Sequence, residues 1–217
     1  MNGYKVMVVR QALGLPVAGT SSTVDRPMMD AVSEFQRSNG LDIDGIVGPV
    51  TWAAMGFRPG DWHAYDSYVA PLRTDPSMDR ALIIEEFIAE VSRYIGSPYV
   101  WGGANHPDHG ADCSGMVLEA MYAVGLDPVS IDTVKHALPA YRTTRELFAH
   151  PDLLHVPVSE RQRGDLLFYS SDGTAGRIYH IAIDLGDGTM IEETEPEGRI
   201  STVRSTNLVS EAVRLFP

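Results

Sequence analysis

Apolar residues fall at helical spacing in the first quarter of the chain and alternate like strand residues in its last third. Val6, Val9 and Leu13 recur every three to four positions and predict a first short helix. After the polar stretch Gly19-Thr20-Ser21-Ser22-Thr23, Met28, Ala31, Val32 and Phe35 share one face of a second helix, which Gly40 ends. A turn-rich loop, Asp42 to Pro49, leads to a third helix starting near Thr51-Trp52. These elements predict a small helical domain over residues 1–57. Residues 58–75 hold Pro59 and Pro71 without a clean period and read as a linker. Its aromatic residues Trp62, Tyr65 and Tyr68 predict that it packs against a domain. Asp75 is expected to cap the next helix with Pro76 in its first position. Ala81, Ile84, Ile88, Val91 and Ile95 form the stripe that this helix would bury.

A second apolar helical run, Met116 to Val124, precedes a stretch with no clear pattern. Strand signals follow. Asp165–Tyr169 is a short apolar run, His180–Leu185 alternates, Gly186-Asp187-Gly188 is a turn, and Thr189–Thr194 returns. Residues 200–206 and 212–216 add two further candidate strands. Helices first and an antiparallel meander afterwards give an α+β domain over residues 76–217.

At 217 residues, with 44% hydrophobic and 21% charged positions, the chain has room for two folded units. Twenty-nine acidic against seventeen basic residues leave a charge of −12, which argues against nucleic acid or an anionic membrane as partner. The start, Met1-Asn2-Gly3-Tyr4-Lys5-Val6, lacks the charged region and apolar core of a secretory signal. No run approaches the ~20 apolar residues of a membrane span. The expectation is a monomeric protein made in the cytoplasm, delivered by other means if it acts outside.

Cys113 is the only cysteine, so its uses are packing or chemistry. Asp112-Cys113-Ser114-Gly115 directly precedes the second apolar run, which places Cys113 at a helix N-terminus, where unpaired N–H groups and the dipole favour a thiolate. A nucleophilic thiol needs an imidazole to take its proton and a polar group to orient that imidazole. Of seven histidines, His180 alone begins an alternating strand. If residues 186–188 form a three-residue loop, His180, Ala182 and Glu192 share a face; a two-residue Asp187-Gly188 turn would substitute Glu193. Glu192 is the preferred partner.

Two metal readings compete. His106-x-x-His109-x-x-x-Cys113 has ligand types suited to zinc, but no second pair completes the set. Asp42-x-Asp44-Gly45 resembles the start of a calcium loop, yet Ala53 stands where the closing glutamate belongs. No metal and no cofactor is expected.

Two resemblances extend this reading. Phe35-Gln36, Gly40-Leu41 and Asp44-Gly45-Ile46-Val47-Gly48-Pro49-Val50-Thr51-Trp52 resemble the second half of the three-helix peptidoglycan-binding domain. Pro98-Tyr99-x-Trp101-Gly102-Gly103, Asp112-Cys113-Ser114-Gly115, Gly164-Asp165-Leu166-Leu167-Phe168 and His180-x-Ala182-x-x-x-Gly186-x-Gly188 resemble the NlpC-type cell-wall peptidases. The second resemblance implies a papain-like fold, with Cys113 as nucleophile and His180 as base. It puts Glu192 in the third position, where histidine is more usual. Asp112 and Ser114 are expected to hold the substrate's polar ends, Trp101 to wall the cleft, and the Cys113 N–H to serve an oxyanion. The implied activity is cleavage of wall stem peptides between γ-D-glutamate and meso-diaminopimelate, with bacterial peptidoglycan as partner. The pairing of wall-directed modules resembles a phage endolysin; a delivered antibacterial effector, or a wall-binding protein without turnover, are the alternatives.

Overall fold

The computed structural model describes residues 3–17, 23–58, 68–126 and 142–217. Three helices come first: α1 (Tyr4–Ala12), α2 (Arg26–Ser38) and α3 (Pro49–Ala54). They enclose a small core of Val6, Val9, Met28, Val32 and Trp52. The sequence sets the start of α2 locally, because Asp25 is extended and its side chain accepts the Met28 N–H. Gln36 pins the following loop. Its Nε2 donates to Asp44 Oδ1 at 2.8 Å and to the Ile46 carbonyl at 3.0 Å, and its Oε1 accepts the Gly45 N–H at 2.9 Å. Asp44 Oδ1 also accepts the Ile46 N–H at 2.8 Å, so this carboxylate closes a turn. Trp52 is fully buried and donates its indole N–H to the Arg58 carbonyl at 3.1 Å, which makes it a core anchor and no stacking surface.

The second unit contains α4 (Arg80–Ser92), α5 (Cys113–Ala123), α6 (Thr144–Phe148) and six strands. These are β1 (Leu154–Pro157), β2 (Leu166–Ser170), β3 (Ile178–Asp184), β4 (Thr189–Glu192), β5 (Arg199–Thr202) and β6 (Glu211–Arg214). The antiparallel sheet has the order β1-β6-β2-β3-β4-β5. Strands β2 to β5 form the expected meander, but β6 returns to insert between β1 and β2. Nothing in the sequence predicted β1. Its four residues end in Pro157 at the sheet edge, where a missing N–H costs no ladder bond.

The cap of α4 is Asp79, whose side chain accepts the Leu82 N–H at 2.9 Å, and not Asp75. Asp75 instead starts a turn with Pro76 in its second position, closed by the Met78 N–H on the Asp75 carbonyl at 3.1 Å. The buried stripe is accordingly Ile84, Phe87, Ile88 and Val91, while Ala81 and Ile95 face solvent. The described end of the linker lies against α5: the Ala70 N–H reaches the Glu119 carboxylate at 2.9 Å, and the Arg73 N–H the Ala123 carbonyl at 2.7 Å. Trp62 and Tyr65 lie outside the described residues. Among the described residues no helix is long and apolar enough to cross a membrane.

Both faces of the sheet are covered. Ile84, Phe87, Val117 and Met121 from α4 and α5 pack on Phe168, Ile181 and Ile183. The other face holds Leu167, Tyr169, Ala182 and Met190 beneath Val158, Val203 and Leu208. Burial on two sides explains why β2 reads as an unbroken apolar run. Helix α5 is buried over its whole length.

Candidate active site

Cys113 is the first residue of α5, and Asp112 caps the helix by accepting the Gly115 N–H at 2.8 Å. A Cβ on Gly115 would sit 2.0 Å from the Gly103 carbonyl oxygen. Only glycine lets the upstream glycine loop press against the nucleophile's first helical turn. The Cys113 N–H has no intrahelical acceptor and remains available for an oxyanion.

Strand β3 passes against the thiol, with the Ile181 N–H and the Ser114 N–H directed at the sulfur. His180 precedes Ile181 at a bulge: Tyr169 pairs with His180 but Ser170 pairs with Ile178, which leaves Tyr179 as the extra residue. Bulges of this kind re-aim a side chain beside a site. The 186–188 loop has three residues, because Leu185 and Thr189 close it and Asp184 pairs with Met190. Glu192 therefore shares the face of His180, and its Oε2 lies 2.9 Å from His180 Nε2. With Nε2 so engaged, Nδ1 is the ring nitrogen left for a proton from sulfur.

Glu192 is held from several sides. Arg204 donates to both oxygens at 2.9 and 2.8 Å, and Ser201 donates to Oε1 at 2.8 Å. Burial alone would raise its pKa, but the bonds from His180, Arg204 and Ser201 outweigh that and hold the carboxyl well below the usual range. Arg204 is itself seated over the Tyr169 ring, 4.6 Å from its centroid.

Burial pushes the Cys113 thiol up to about 12, and Asp112 adds to the rise, against the opposing Ile181 N–H, Arg142 and Ser114 N–H. The thiolate expected from the helix end is thus not the resting form. Burial is the largest of these influences.

The model of the NlpC/P60 family matches residues 96–214, a span that contains Cys113, His180 and Glu192. The chain belongs to the NlpC/P60 family. A peptidoglycan binding domain model matches residues 11–55. The peptidoglycan endopeptidase RipA of Mycobacterium tuberculosis is 32% identical over 227 residues, covering 98% of this chain and 40% of that protein. The bifunctional muramidase/DL-endopeptidase CwlT of Bacillus subtilis is 31% identical over 140 residues, covering 64% of this chain and 36% of that protein. The chain thus spans less than half the length of both relatives. Among solved structures, the M. tuberculosis peptidoglycan hydrolase RipB superposes with a TM-score of 0.52 at 21% identity, covering 88% of this chain and 82% of that one, a likeness of fold.

The NlpC/P60 cleft corrects part of the sequence reading. Trp101 is exposed. Asp112 and Ser114 are turned inward instead of offering their polar atoms to a substrate. Asp112 accepts from Gly102, Ser114, Gly115 and Arg142, and Ser114 Oγ accepts from Arg142 while donating to Asp112. The zinc reading also loses its ligands. His106 Nε2 meets Arg93 at 3.2 Å, its Nδ1 accepts the Asp108 N–H, and the His109 ring lies 4.9 Å from that of Tyr4. Among the described residues no group of three His, Cys, Asp or Glu gathers to hold a metal.

Three residues of the site were not foreseen: Arg142, Ser201 and Arg204. Arg204 fell inside a predicted strand segment, but its bond to Glu192 depends on how β4 and β5 pair. Arg142 follows a stretch with no periodic signal.

Glu193, the rejected alternative to Glu192, is wholly buried, and neither carboxylate oxygen has a hydrogen-bond partner among the described residues. Burial first, then Asp112 and Glu197, push it up to about 9. The folded protein therefore keeps a proton that an unfolded carboxyl releases near its ordinary value of 4.5. Stability falls as pH rises from that ordinary value to about 9. Glu193→Gln is expected to raise the melting temperature by several degrees near pH 8 and to change little near pH 4.5. Melting curves at both pH values check this; an equal effect at the two would exclude ionisation as the cause.

Proposed function

We propose that this protein is a peptidoglycan endopeptidase that cuts wall stem peptides through a thioester on Cys113. The bond between His180 Nε2 and Glu192, on strands laid against a thiol at a helix N-terminus, is the observation that carries the reading. Glu192 fixes the ring so that Nδ1 takes the Cys113 proton as sulfur attacks the peptide carbonyl carbon. The Cys113 N–H stabilises the oxyanion. Collapse breaks the C–N bond, and the imidazolium returns its proton to the leaving amine. Water then attacks the thioester, losing a proton to His180, and the carboxylate leaves as the thiol is restored.

The substrate we propose is the bond between γ-D-glutamate and meso-diaminopimelate. The names of RipA and CwlT as endopeptidases support this class of substrate. The helical module tethers the enzyme to the wall and raises local substrate concentration. Ile43, Ile46 and Val50 stand exposed around its Gln36-pinned loop and offer an apolar face for that contact. Lysis of a bacterium by a phage lysin or a delivered effector is the role this pairing suits. Incubation with an N-acylated L-alanyl-γ-D-glutamyl-diaminopimelate peptide tests the bond. Release of a fragment whose new amino terminus is diaminopimelate is expected, and cleavage at another bond would refute the assignment.

A further inference from the structure

We propose that Arg142 is a positioning residue for the nucleophile: its guanidinium locks the turn that carries Cys113 and supplies the positive charge that offsets Asp112 beside the sulfur. The proposal rests on Cys113 being the nucleophile. The geometry is a fork closed on three pieces of chain. Nη1 donates to Asp112 Oδ1 at 2.9 Å and to Ser114 Oγ at 2.8 Å. Nη2 donates to Asp112 Oδ2 at 3.1 Å and to the Gly103 carbonyl at 2.9 Å. All four N–H bonds of the terminal nitrogens are spent, so this arginine does not reach for substrate. It ties the glycine loop, the helix cap and the first turn of α5 together. A planar fork can do this, whereas the ammonium of lysine presents its donors from a single point.

Charge completes the argument. Among the described residues, the groups facing the thiol include Asp112 and Ser114 from its own turn, Arg142 from ahead of α6, the Ile181 N–H on β3 and the Tyr99 phenol from the upstream loop. His180 stands next to Ile181 on that strand. Glu193 and Glu197 lie behind Asp112. Burial keeps the Tyr99 phenol neutral by raising it, and Glu193 stays protonated at neutral pH. Asp112 and Arg142 then act in opposite directions on the ionisation of the sulfur. Without Arg142, a buried carboxylate would stand unopposed next to the attacking atom.

Cys113 is the only cysteine, so its alkylation by iodoacetamide, followed by intact mass, reads its ionisation without any turnover. Arg142→Met is expected to slow alkylation roughly tenfold, moving the line of log rate against pH by about one unit toward higher pH. Asp112→Asn keeps a capping side chain and leaves Arg142 unopposed, so it is expected to speed alkylation and move that line toward lower pH. Arg142→Lys keeps the charge and the line, while kcat on the stem peptide falls because the fork is lost. Shifts in the same direction for the Met and Asn variants, or no shift in either, would overturn the proposal. Should Arg142→Met fail to fold, the other two decide: an unmoved line in Asp112→Asn, or a shift toward higher pH in Arg142→Lys, overturns it equally. Peptide cleavage by Cys113→Ala would instead sink the thiol mechanism while leaving the alkylation result standing.

Discussion

Replacing Cys113 by alanine is expected to abolish stem-peptide cleavage while leaving the fold and wall binding intact. The side chain is 6% exposed, and trading a thiol for a hydrogen atom leaves only a small void. The stability cost should stay near 1 kcal/mol, too little to unfold a domain with two packed sheet faces. The chemical cost is of another order. Without the sulfur there is no nucleophile for His180 to activate, and the oxyanion donor stabilises an addition that water must perform unaided. A fall of about a thousandfold or more in kcat/KM is expected. Initial rates on an N-acylated stem peptide check this, with sedimentation on purified sacculi as the control for binding. A loss below tenfold would show that the thiol is not the attacking group.

The second large effect belongs to Glu192. Glu192→Gln keeps the shape of the side chain but removes a charge that several donors share. His180 Nε2 and Arg204 Nη2 both meet Oε2, while Arg204 Nη1 and Ser201 meet Oε1. A carboxamide has one oxygen and one NH2 group, so either placement sets its N–H against a donor. In one placement the NH2 meets His180, which forces the ring to accept at Nε2 and carry its proton on Nδ1. That is the nitrogen the thiol needs as a base. In the other it meets Ser201 and one arm of Arg204, and the carboxylate that would stabilise an imidazolium is gone. A fall in kcat of roughly a hundredfold to ten-thousandfold is expected, with KM little changed, because the interaction matters as charge develops. Steady-state kinetics on the stem peptide separate the two parameters. A kcat near that of the wild type would reduce Glu192 to a structural role.

The His180–Glu192 pair was legible in the sequence because strand registry is a counting problem. Period-two alternation fixes which residues share a face, and the length of one turn decides between Glu192 and Glu193. The Asp-Cys-Ser-Gly turn was legible for a similar reason, since a cap followed by an apolar run marks a helix start. What escaped depends on contacts remote in sequence. Arg142 meets Asp112 thirty positions away, from a segment without a pattern. The insertion of β6 beside β1 follows from the final packing of the sheet, which local propensity does not encode. The rise of the Cys113 thiol was not legible because the sequence shows the helix end but not how completely α5 is buried. Asp112 and Ser114 were misread as substrate ligands for the same reason, their partner being an unseen arginine. At α4, the proline after Asp75 favoured that residue as the cap, whereas Asp79 four residues on holds the helix start.

One digestion tests the central claim most directly. Purified diaminopimelate-type sacculi would be incubated with wild-type protein and with Cys113→Ala, and the soluble fragments sequenced by mass spectrometry. The account predicts fragments with new diaminopimelate amino termini from the wild type alone, while both proteins sediment with the wall. The same fragments from Cys113→Ala, or none from a wild type that binds the wall, would contradict it.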